Sequence, residues 1–571
     1  MKSTTAIVSA LLMLGAAPAL AQTPGEVPAP ERAPLPPSNV APGRPTLVVT
    51  IVIDQFSANL FNQYRSRFTG GLKILADQGL VYTNGFQSHG VTTTCPGHST
   101  VLTGAHPTHT GIPANEWIDP ATGKDLYCLA APQNTIAGPA HGENGRVGSN
   151  ALLVTNLPDW VKAQSPRSRV FAVSGKDRGA INLAGHHADG TFWIEGPMLT
   201  TYVEPGQTAE ARLAPIAAFN AAYKAKLAAD PNPTWTFQHD QCRTLRSTST
   251  VGGQTFHADL PPMEANLEDS PYLDETTLDA ATYLLDSQQL GRRGVVDLLG
   301  VSLSGTDKIG HAYGTQGPEM CEQLLRMDEA LGAFLGRVAA TPGAIVVLTA
   351  DHGGSDFPER MTDRGAVAGR YDTTMLPRIN ARLKTQFNLT DNPLQSGGTG
   401  FIVADKDHKE LPEPLRSQII AAAIPLLNAE PNIVLAVPRD ELLQDPMPPR
   451  GFNPEELTIR ERLRLSAVAG RGADILRAYA YNLTSNARIG GSIASHGSPW
   501  DYDRRVPIIF WRPGERGEEH FWPLRTVDIA PTLANLVNVP TPDTVDGVCQ
   551  NLGLYDVPAC SVVEAEPQPK P

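Results

Sequence analysis

The chain has little cysteine, no excess of positive charge and, after its first residues, no apolar run that could cross a membrane. Six cysteines occur in 571 residues, and their spacing matches no zinc knuckle. The formal net charge of -13 excludes a protein that binds nucleic-acid backbones without sequence preference, because that affinity needs a basic surface. No internal repeat is present. We therefore expect a soluble chain without nucleic-acid or membrane partners.

The N-terminus has the pattern of an export signal. One lysine precedes an apolar run from Ala6 to Ala16, and small residues follow as far as Ala21. This pattern predicts a signal peptide over residues 1–21 and a secreted or periplasmic protein. A retained anchor helix is the alternative, although the run is too short to span a bilayer. An oxidising compartment permits disulfides, and Cys549 with Cys560 is the predicted pair. The other pairings stay open.

The rest of the chain divides by composition. Residues 22–45 are rich in proline and predict an extended tether, and residues 556–571 predict a flexible tail. Between them, residues 46–555 predict one large catalytic domain. Two polar, weakly periodic or charged stretches, at about 196–285 and 376–485, are interpreted as insertions that form a cap over the site.

Four apolar, β-branched runs each lead to a polar residue of a catalytic type. They are TLVVTIVI before Asp54, VFAVS before Lys176, VVDLLGVSL before Asp307 and AIVVLTA before Asp351. Continuous runs of this kind predict an α/β fold with a mostly parallel central sheet flanked by helices. Because ligands bind at the carboxyl ends of such strands, we expect these residues to converge on one site.

A mixed set of carboxylates and imidazoles predicts a metal centre. Asp307 and His311 are four residues apart, so one helical turn places them on the same face. Taken singly, such residues also suit turns or surface helix pairs. The donor types suit Zn²⁺ well and Mn²⁺ less well, and their number exceeds what one tetrahedral zinc ion binds. Two ions, an arrangement suited to in-line displacement at phosphorus, are therefore predicted. The set is Asp54, Asp307, His311, Asp351, His352 and His496.

The segment VTTTCPGHST, residues 91–100, carries the candidate nucleophiles. Pro96 can occupy the first turn of a helix that runs to Gly104, and the residue before Pro96 then lies at a helix N-terminus. Such a terminus favours an anion, which suits an alkoxide that faces a phosphate. The pattern alone leaves Thr94 and Cys95 both open, and N-capping by Thr94 is the structural alternative.

Several motifs together resemble the alkaline phosphatase superfamily, in particular its nucleotide pyrophosphatase/phosphodiesterase-like members. They are TTTCPGHST, TGAHPTHTGIPANEW, DKIGH, ADHGG and SHGSPWDYDRRVPIIFW. The resemblance covers most of residues 46–555 outside the two insertions. It implies that Thr94 is the nucleophile, that Asn115 donates to a phosphate oxygen and that Cys95 is a packing position.

The same resemblance divides the metal ligands between two Zn²⁺ ions per chain. The implied ligands are Asp307, His311 and His496 for one ion, and Asp54, Asp351, His352 and the Thr94 oxygen for the other. It also argues against a sulfatase, because sulfatases carry cysteine or serine in place of Thr94. They also carry arginine where this chain has His98.

Lys176 and Arg178 in SGKDRGA indicate which branch of the superfamily is the better match. Their segment resembles the Lys-x-Arg element of exported bacterial alkaline phosphatases that use a threonine nucleophile and favour monoesters; a solvated turn is the alternative. Two cations would stabilise the additional charged oxygen of a monoester dianion. His186 and His187, shortly afterwards, are interpreted as structural.

The resulting prediction is a phosphomonoesterase that hydrolyses small phosphate esters through a covalent phosphothreonine. A nucleotide pyrophosphatase or phosphodiesterase with the same nucleophile and metals is the nearest alternative. An exported protein that captures phosphate or phosphonate without turnover is the alternative from another class. A phosphoglycerate-mutase-like transferase is disfavoured by the export signal. The physiological ester, the oligomeric state and the exact metals stay open.

Overall fold

A computed structural model describes residues 43–138, 145–230, 235–245, 249–251, 254–256, 267–485 and 492–560. The predicted signal peptide, the tether up to residue 42 and residues 561–571 of the predicted tail lie outside these ranges. Among the described residues, no helix has both the length and the apolar character needed to cross a membrane.

The strands, in chain order, are β1 Leu47–Ile53, β2 Leu80–Phe86, β3 Glu116–Ile118, β4 Asp125–Tyr127, β5 Thr135–Ile136, β6 Val170–Ser174, β7 Gly190–Glu195, β8 Met198–Thr200, β9 Tyr202–Val203, β10 Ser249–Val251, β11 Gln254–Phe256, β12 Asp297–Leu303, β13 Ala344–Thr349, β14 Gly369–Arg370, β15 Leu394–Ser396, β16 Gly400–Val403, β17 Ile433–Pro438, β18 Ile475–Tyr479, β19 Leu483–Thr484, β20 Arg505–Trp511, β21 Glu518–His520 and β22 Leu524–Arg525.

The α-helices are α1 Ala58–Tyr64, α2 Gly71–Gln78, α3 Thr94–Thr103, α4 Pro107–Thr110, α5 Leu157–Gln164, α6 Asp177–Ala184, α7 Ala209–Leu213, α8 Ala217–Ala229, α9 Asp240–Arg243, α10 Tyr272–Ser287, α11 Gly305–Tyr313, α12 Pro318–Ala339, α13 Pro358–Asp363, α14 Met375–Phe387, α15 Leu415–Asn428, α16 Arg439–Leu442, α17 Ile459–Ser466, α18 Asp501–Arg504 and α19 Ile529–Val537.

A ten-stranded sheet forms the centre of the molecule. Its order is β21-β2-β20-β13-β1-β12-β6-β7-β8, and β22 pairs with β2. The five strands from β13 to β7 are mutually parallel, whereas β20 and β8 run antiparallel to their neighbours. Every residue of β1, β12 and β13 is buried, as expected for apolar strands covered on both faces. The predicted α/β fold with a mostly parallel sheet is confirmed.

Helices cover this sheet and share its apolar core. Helix α12 lies between β12 and β13 in the chain, and it packs against α2 and α10. Helices α3 and α6 pack together, and α6 also contacts β6, β7 and β12. Helix α10 lies within the first predicted insertion, but it packs on β12 and β6 as part of this main core.

Most of the second predicted insertion forms a smaller unit. Strands β15, β16, β18 and β17 make an antiparallel four-stranded sheet, and α14 and α15 pack with it around a separate apolar cluster. Helix α17 connects this unit to the main one, because Gly90 N–H donates to Arg462 O at 2.8 Å and to Ser466 Oγ at 2.9 Å. That contact supports the loop that leads into α3. A capping role stays a prediction.

Three disulfides join all six cysteines. They are Cys95–Cys128, Cys242–Cys321 and Cys549–Cys560. The third confirms the predicted pair, and the first two could not be paired from sequence because their partners are 33 and 79 residues apart.

Candidate active site

The carboxyl ends of four adjacent strands bring the predicted carboxylates together. Asp54 follows β1, Asp351 follows β13, and Asp307 lies in the first turn of α11 after β12. Lys176 follows β6, and its Nζ lies 2.6 Å from Asp54 Oδ2 and also bonds Asp307 Oδ2. All four side chains are buried. The register of the parallel strands therefore creates one acidic cluster with a lysine bridging two of its members.

Each carboxylate is anchored through one oxygen and leaves the other for a different partner. Asp54 Oδ1 and Asp307 Oδ1 are buried and accept no hydrogen bond from the described residues. Asp351 Oδ1 accepts from Gln55 N at 3.1 Å and from His352 N at 2.8 Å. Its Oδ2 lies 3.0 Å from His98 Nδ1, which is also 3.0 Å from the Thr94 carbonyl oxygen. Buried oxygens without donors are costly unless a cation binds them.

The three imidazoles are oriented in the same way. Nδ1 faces a main-chain carbonyl in each ring, at 2.8 Å for His311, 2.9 Å for His352 and 2.9 Å for His496. A carbonyl can only accept, so Nδ1 carries a proton in each ring and Nε2 is the nitrogen left to face the carboxylates or to bind a metal ion. The Nε2 atoms lie 3.3–3.4 Å from orphan carboxylate oxygens: His352 from Asp54 Oδ1, and His311 and His496 from Asp307 Oδ1.

These groups fit divalent metal ions. Among the described residues, two sets place their ligand atoms within 4.8 Å of one another: Asp54, Asp351 and His352, and Asp307, His352 and His496. The first is the same trio that the resemblance implies. The second contains His352 in place of His311, although His311 Nε2 lies 3.4 Å from Asp307 Oδ1. Nitrogen and carboxylate donors in this number suit Zn²⁺.

The electrostatics show how strongly these groups interact. Burial opposes ionisation of Asp307, yet Lys176 and His311 hold its pKa well below the usual range. Burial likewise opposes protonation of His352, but Asp351 and Asp54 raise its pKa to about 10. Burial, together with His352, lowers the pKa of His496 to about 4. The acidic cluster thus draws positive charge to the positions between its carboxylates.

Thr94 begins α3 beside this cluster. The N-cap residue is Thr93, and no side chain caps the helix, so the alternative of capping by Thr94 is wrong. The helix ends at Thr103 before a left-handed Gly104, as predicted. Gly97 brings the first turn against the strand end, because a Cβ there would lie 2.1 Å from the Asp351 carbonyl oxygen. Thr94 itself is buried.

Asn115 lies at the same helix start. Its Oδ1 accepts from Cys95 N at 2.7 Å, which places the amide next to Thr94 in the chain. Cys95 is fully buried and forms a disulfide with Cys128, so the expected packing position is also covalently linked. Sequence reasoning had no signal for this pairing.

Lys176 and Arg178 lie at the start of α6. Lys176 is the N-cap residue, and Arg178 is the second residue of the helix. Tyr127 of β4 holds this turn, because its hydroxyl donates to Asp177 Oδ1 at 2.7 Å and contacts the Arg178 guanidinium. Tyr127 was not among the predicted site residues, since nothing in its sequence context points to α6.

Three further histidines complete the description of the surroundings. His98 Nε2 lies 2.9 Å from Ser302 Oγ, so His98 ties α3 to β12. His98 was not among the predicted site residues. Its position four residues after Thr94, on the same helix face, was the signal that could have placed it near the site. His186 Nδ1 lies 2.8 Å from Asp159 Oδ2 and Nε2 lies 3.1 Å from Leu152 O, which is a structural arrangement. His187 is exposed.

The chain is similar to known phosphatases over most of its length. Alkaline phosphatase PhoK of Sphingomonas sp. is 36% identical over 537 residues, covering 90% of this chain and 92% of the relative. Alkaline phosphatase PhoD of Zymomonas mobilis is 36% identical over 535 residues, covering 90% and 89%. The crystal structure of alkaline phosphatase PafA superposes with a TM-score of 0.76 at 25% identity, covering 89% of this chain and 98% of that chain.

The fold and the site together define an enzyme of the alkaline phosphatase superfamily. Within that class, the chain belongs to the type I phosphodiesterase / nucleotide pyrophosphatase family, whose model matches residues 48–389. The match includes the residues predicted for the site except His496. The superfamily and fold that the sequence motifs implied are confirmed.

Proposed function

We propose that the protein is an exported phosphomonoesterase whose nucleophile is the Thr94 hydroxyl. The observation that carries the proposal is the placement of Lys176. Its ammonium bonds both Asp54 and Asp307, which are predicted to bind different metal ions. Arg178 lies two residues after Lys176, in the first turn of the same helix. Alkaline phosphatase relatives at 36% identity over 90% of the chain support the same reaction.

We assign the buried donors to two Zn²⁺ ions per chain. When bound, they would act as Lewis acids that lower the pKa of a nearby hydroxyl and neutralise charge on phosphate and leaving oxygens. The orphan oxygens of Asp54 and Asp307 and the Nε2 atoms that face them fit this assignment. The proposed ligands are Asp307, His311 and His496 for one ion, and Asp54, Asp351, His352 and the Thr94 oxygen for the other.

Thr94 forms and breaks the bonds of the reaction. In the first step, Thr94 Oγ attacks phosphorus in line, the Thr94 O–P bond forms, and the bond to the ester oxygen breaks. Thr94 Oγ gives up its hydroxyl proton, and the leaving ester oxygen gains a proton and departs as an alcohol. In the second step, water attacks the phosphothreonine, the Thr94 O–P bond breaks, inorganic phosphate is released and the Thr94 hydroxyl is restored. The N-terminus of α3 favours negative charge at Thr94 throughout.

Asn115, Lys176 and Arg178 hold the phosphate oxygens that do not react. The Asn115 carbonyl is occupied by Cys95 N–H, so its amide nitrogen is the donor for phosphate. The Lys176 ammonium has three protons and shares two with Asp54 and Asp307, which leaves one for the substrate. Charge-assisted bonds from Lys176 and Arg178 stabilise a monoester dianion more than a diester monoanion.

A ratio of two activities tests the proposal. The metal-replete mature protein is assayed with p-nitrophenyl phosphate and with bis-p-nitrophenyl phosphate under the same conditions. We expect kcat/KM to be much higher for the monoester. A higher value for the diester would overturn the proposal in favour of the phosphodiesterase alternative. Binding of phosphate without turnover of either substrate would favour a capture protein.

A further inference from the structure

The β3–β4 hairpin adjoins two of the three side chains proposed to hold phosphate oxygens, Asn115 and Arg178. Residues Glu116 and Tyr127 are paired in its antiparallel register, so Asn115 and Cys128 face each other just outside the two strands. Cys128 N donates to Asn115 O at 2.9 Å. The hairpin thus supplies Asn115 from one end and Tyr127 with Cys128 from the other.

The disulfide Cys95–Cys128 ties this hairpin to the nucleophile's helix. Cys95 follows Thr94, and its N–H holds the Asn115 side chain while the Cys128 N–H holds the Asn115 main chain. Asn115 therefore accepts a hydrogen bond from each of the two cysteines of this disulfide, one at its side chain and one at its main chain. The cross-link lies in a small apolar cluster, separate from the main core, that includes Trp117 of β3 and Ile181 of α6.

Tyr127 extends the same unit to Arg178. Its hydroxyl donates to Asp177 Oδ1 at 2.7 Å, and Arg178 N–H donates to the same oxygen at 2.7 Å. The hydroxyl also contacts the guanidinium, whose Nε is buried and has no hydrogen-bond partner among the described residues. Burial and Asp177 raise the pKa of Tyr127, so its proton stays in place as a donor.

We propose that the Cys95–Cys128 disulfide and Tyr127 are positioning elements that hold Asn115 and Arg178 in the geometry that binds phosphate. This inference rests on the proposed phosphomonoesterase function. Neither element contacts the carboxylate and imidazole groups predicted to bind metal in the described contacts, although Cys95 follows Thr94 in the chain. Their loss is therefore expected to weaken phosphate recognition and leave the metal held by those groups in place. If the disulfide only stabilised the fold, its loss would lower the melting temperature without weakening phosphate recognition selectively.

The disulfide is tested against a second disulfide of the same chain. The pair Cys95→Ala with Cys128→Ala is compared with Cys242→Ala with Cys321→Ala, each assayed metal-replete and well below its melting temperature. The control closes a longer loop, 79 against 33 residues, so its loss lowers stability at least as much. We expect about a ten-fold or larger loss of monoester kcat/KM and of inhibition by inorganic phosphate for the first pair only. Equal losses, or no loss in either, would overturn the role of the disulfide.

Tyr127 provides an independent test that does not depend on the disulfide variant folding. Tyr127→Phe is compared with Tyr64→Phe, which removes a buried hydroxyl that has no hydrogen-bond partner among the described residues. We expect Tyr127→Phe to lower monoester kcat/KM more than diester kcat/KM, and to cause no further loss in an Arg178→Ala background. Additive losses in that background, or wild-type kinetics, would show that Tyr127 does not act through Arg178.

The same measurements separate failure of this inference from failure of the proposed function. Inorganic phosphate that binds the native protein raises its melting temperature whether or not turnover occurs. If the wild type hydrolyses neither ester but is stabilised by phosphate, the function is wrong and the positioning claim is still tested by the size of that shift. If the wild type is an active monoesterase and all variants match it, only the positioning claim is wrong.

Discussion

Thr94 is a buried hydroxyl at a helix start, next to an acidic cluster with buried oxygens that accept no hydrogen bond from the described residues. We predict that Thr94→Ala abolishes turnover, because alanine has no hydroxyl to form the covalent phosphoenzyme, while phosphate still binds. Steady-state kinetics and the phosphate-induced shift in melting temperature measure the two effects.

Thr94→Ser is the matched control, since it keeps the hydroxyl and removes one methyl group. It should retain measurable turnover and form a phosphoenzyme trapped by acid quenching. Near-normal activity of the alanine variant would contradict a covalent mechanism at this residue.

Two more residues, Lys176 and Arg178, are predicted to set the preference for monoesters over diesters. Lys176→Ala with Arg178→Ala removes two cations from the additional charged oxygen of a monoester, and each charge-assisted bond contributes about 1.5–3 kcal/mol. We predict that monoester kcat/KM falls at least about 100-fold more than diester kcat/KM.

The control for this pair is Lys73→Ala on α2, where the lysine is half-exposed and its ion pair among the described residues is with Asp77. It should leave both activities unchanged. Equal losses of monoester and diester hydrolysis in the double variant would mean that the two cations do not determine the preference.

At the scale of elements, the approach of α3 to the end of β13 depends on Gly97. A Cβ there would lie 2.1 Å from the Asp351 carbonyl oxygen, so Gly97→Ala must push the helix away from the strand. We predict a loss of about 1–3 kcal/mol in the free energy of unfolding and a marked fall in kcat, since Thr94 moves with the helix.

Gly336→Ala in α12 is the matched control. An added Cβ at Gly336 meets nothing within 4 Å, and alanine is the better helix former by about 1 kcal/mol. This variant should be slightly more stable and fully active. Denaturant unfolding and steady-state kinetics compare the two, and wild-type activity in Gly97→Ala would disprove the close approach.

A second contact between elements predicts a pH dependence of stability. Asp546 accepts from His106 and lies 2.9 Å from His109 Nδ1, which links the C-terminal segment to α4. The hydrogen bond to Asp546 raises the pKa of His109, and the two histidines hold the pKa of Asp546 well below its usual range despite burial.

The directions of these pKa shifts define the pH range in which the contact stabilises the fold. The His109 contribution is complete below its unfolded pKa of about 6.5 and is lost as pH rises through the raised value. The Asp546 contribution is complete above about 4 and is lost as pH falls. We predict that His109→Gln lowers the melting temperature most near pH 5.5 and least above pH 8.

The exposed His187 is the control for this measurement, because it has no ion pair among the described residues. His187→Gln should change the melting temperature little, and equally at both pH values. A His109→Gln effect that does not vary with pH would contradict the proposed contact.

For the whole molecule, the buried acidic cluster predicts dependence on metal. Ions that bind only the native state add to its stability, and they also screen three carboxylates from one another. We predict that EDTA abolishes hydrolysis and lowers the melting temperature, and that Zn²⁺ restores both. Unchanged activity and melting temperature in the chelator would refute a metal centre.

The sequence by itself determined the sheet and most of the proposed site. Continuous apolar runs can be buried only in strands covered on both faces, and parallel strands bring their carboxyl ends to one edge. Asp54, Asp307 and Asp351 could therefore be placed together, and the order of motifs pointed to the superfamily.

Only the tertiary structure decided the contacts between residues distant in the chain. No local sequence signal predicts three of these contacts. They are the disulfide between Cys95 and Cys128, the hydrogen bond from Tyr127 to the first turn of α6, and the bonds from Lys176 to two carboxylates. A residue's spacing predicts which face of its own element it occupies. Which side chain meets it from another element depends on how the elements pack, and that is set by the whole core at once.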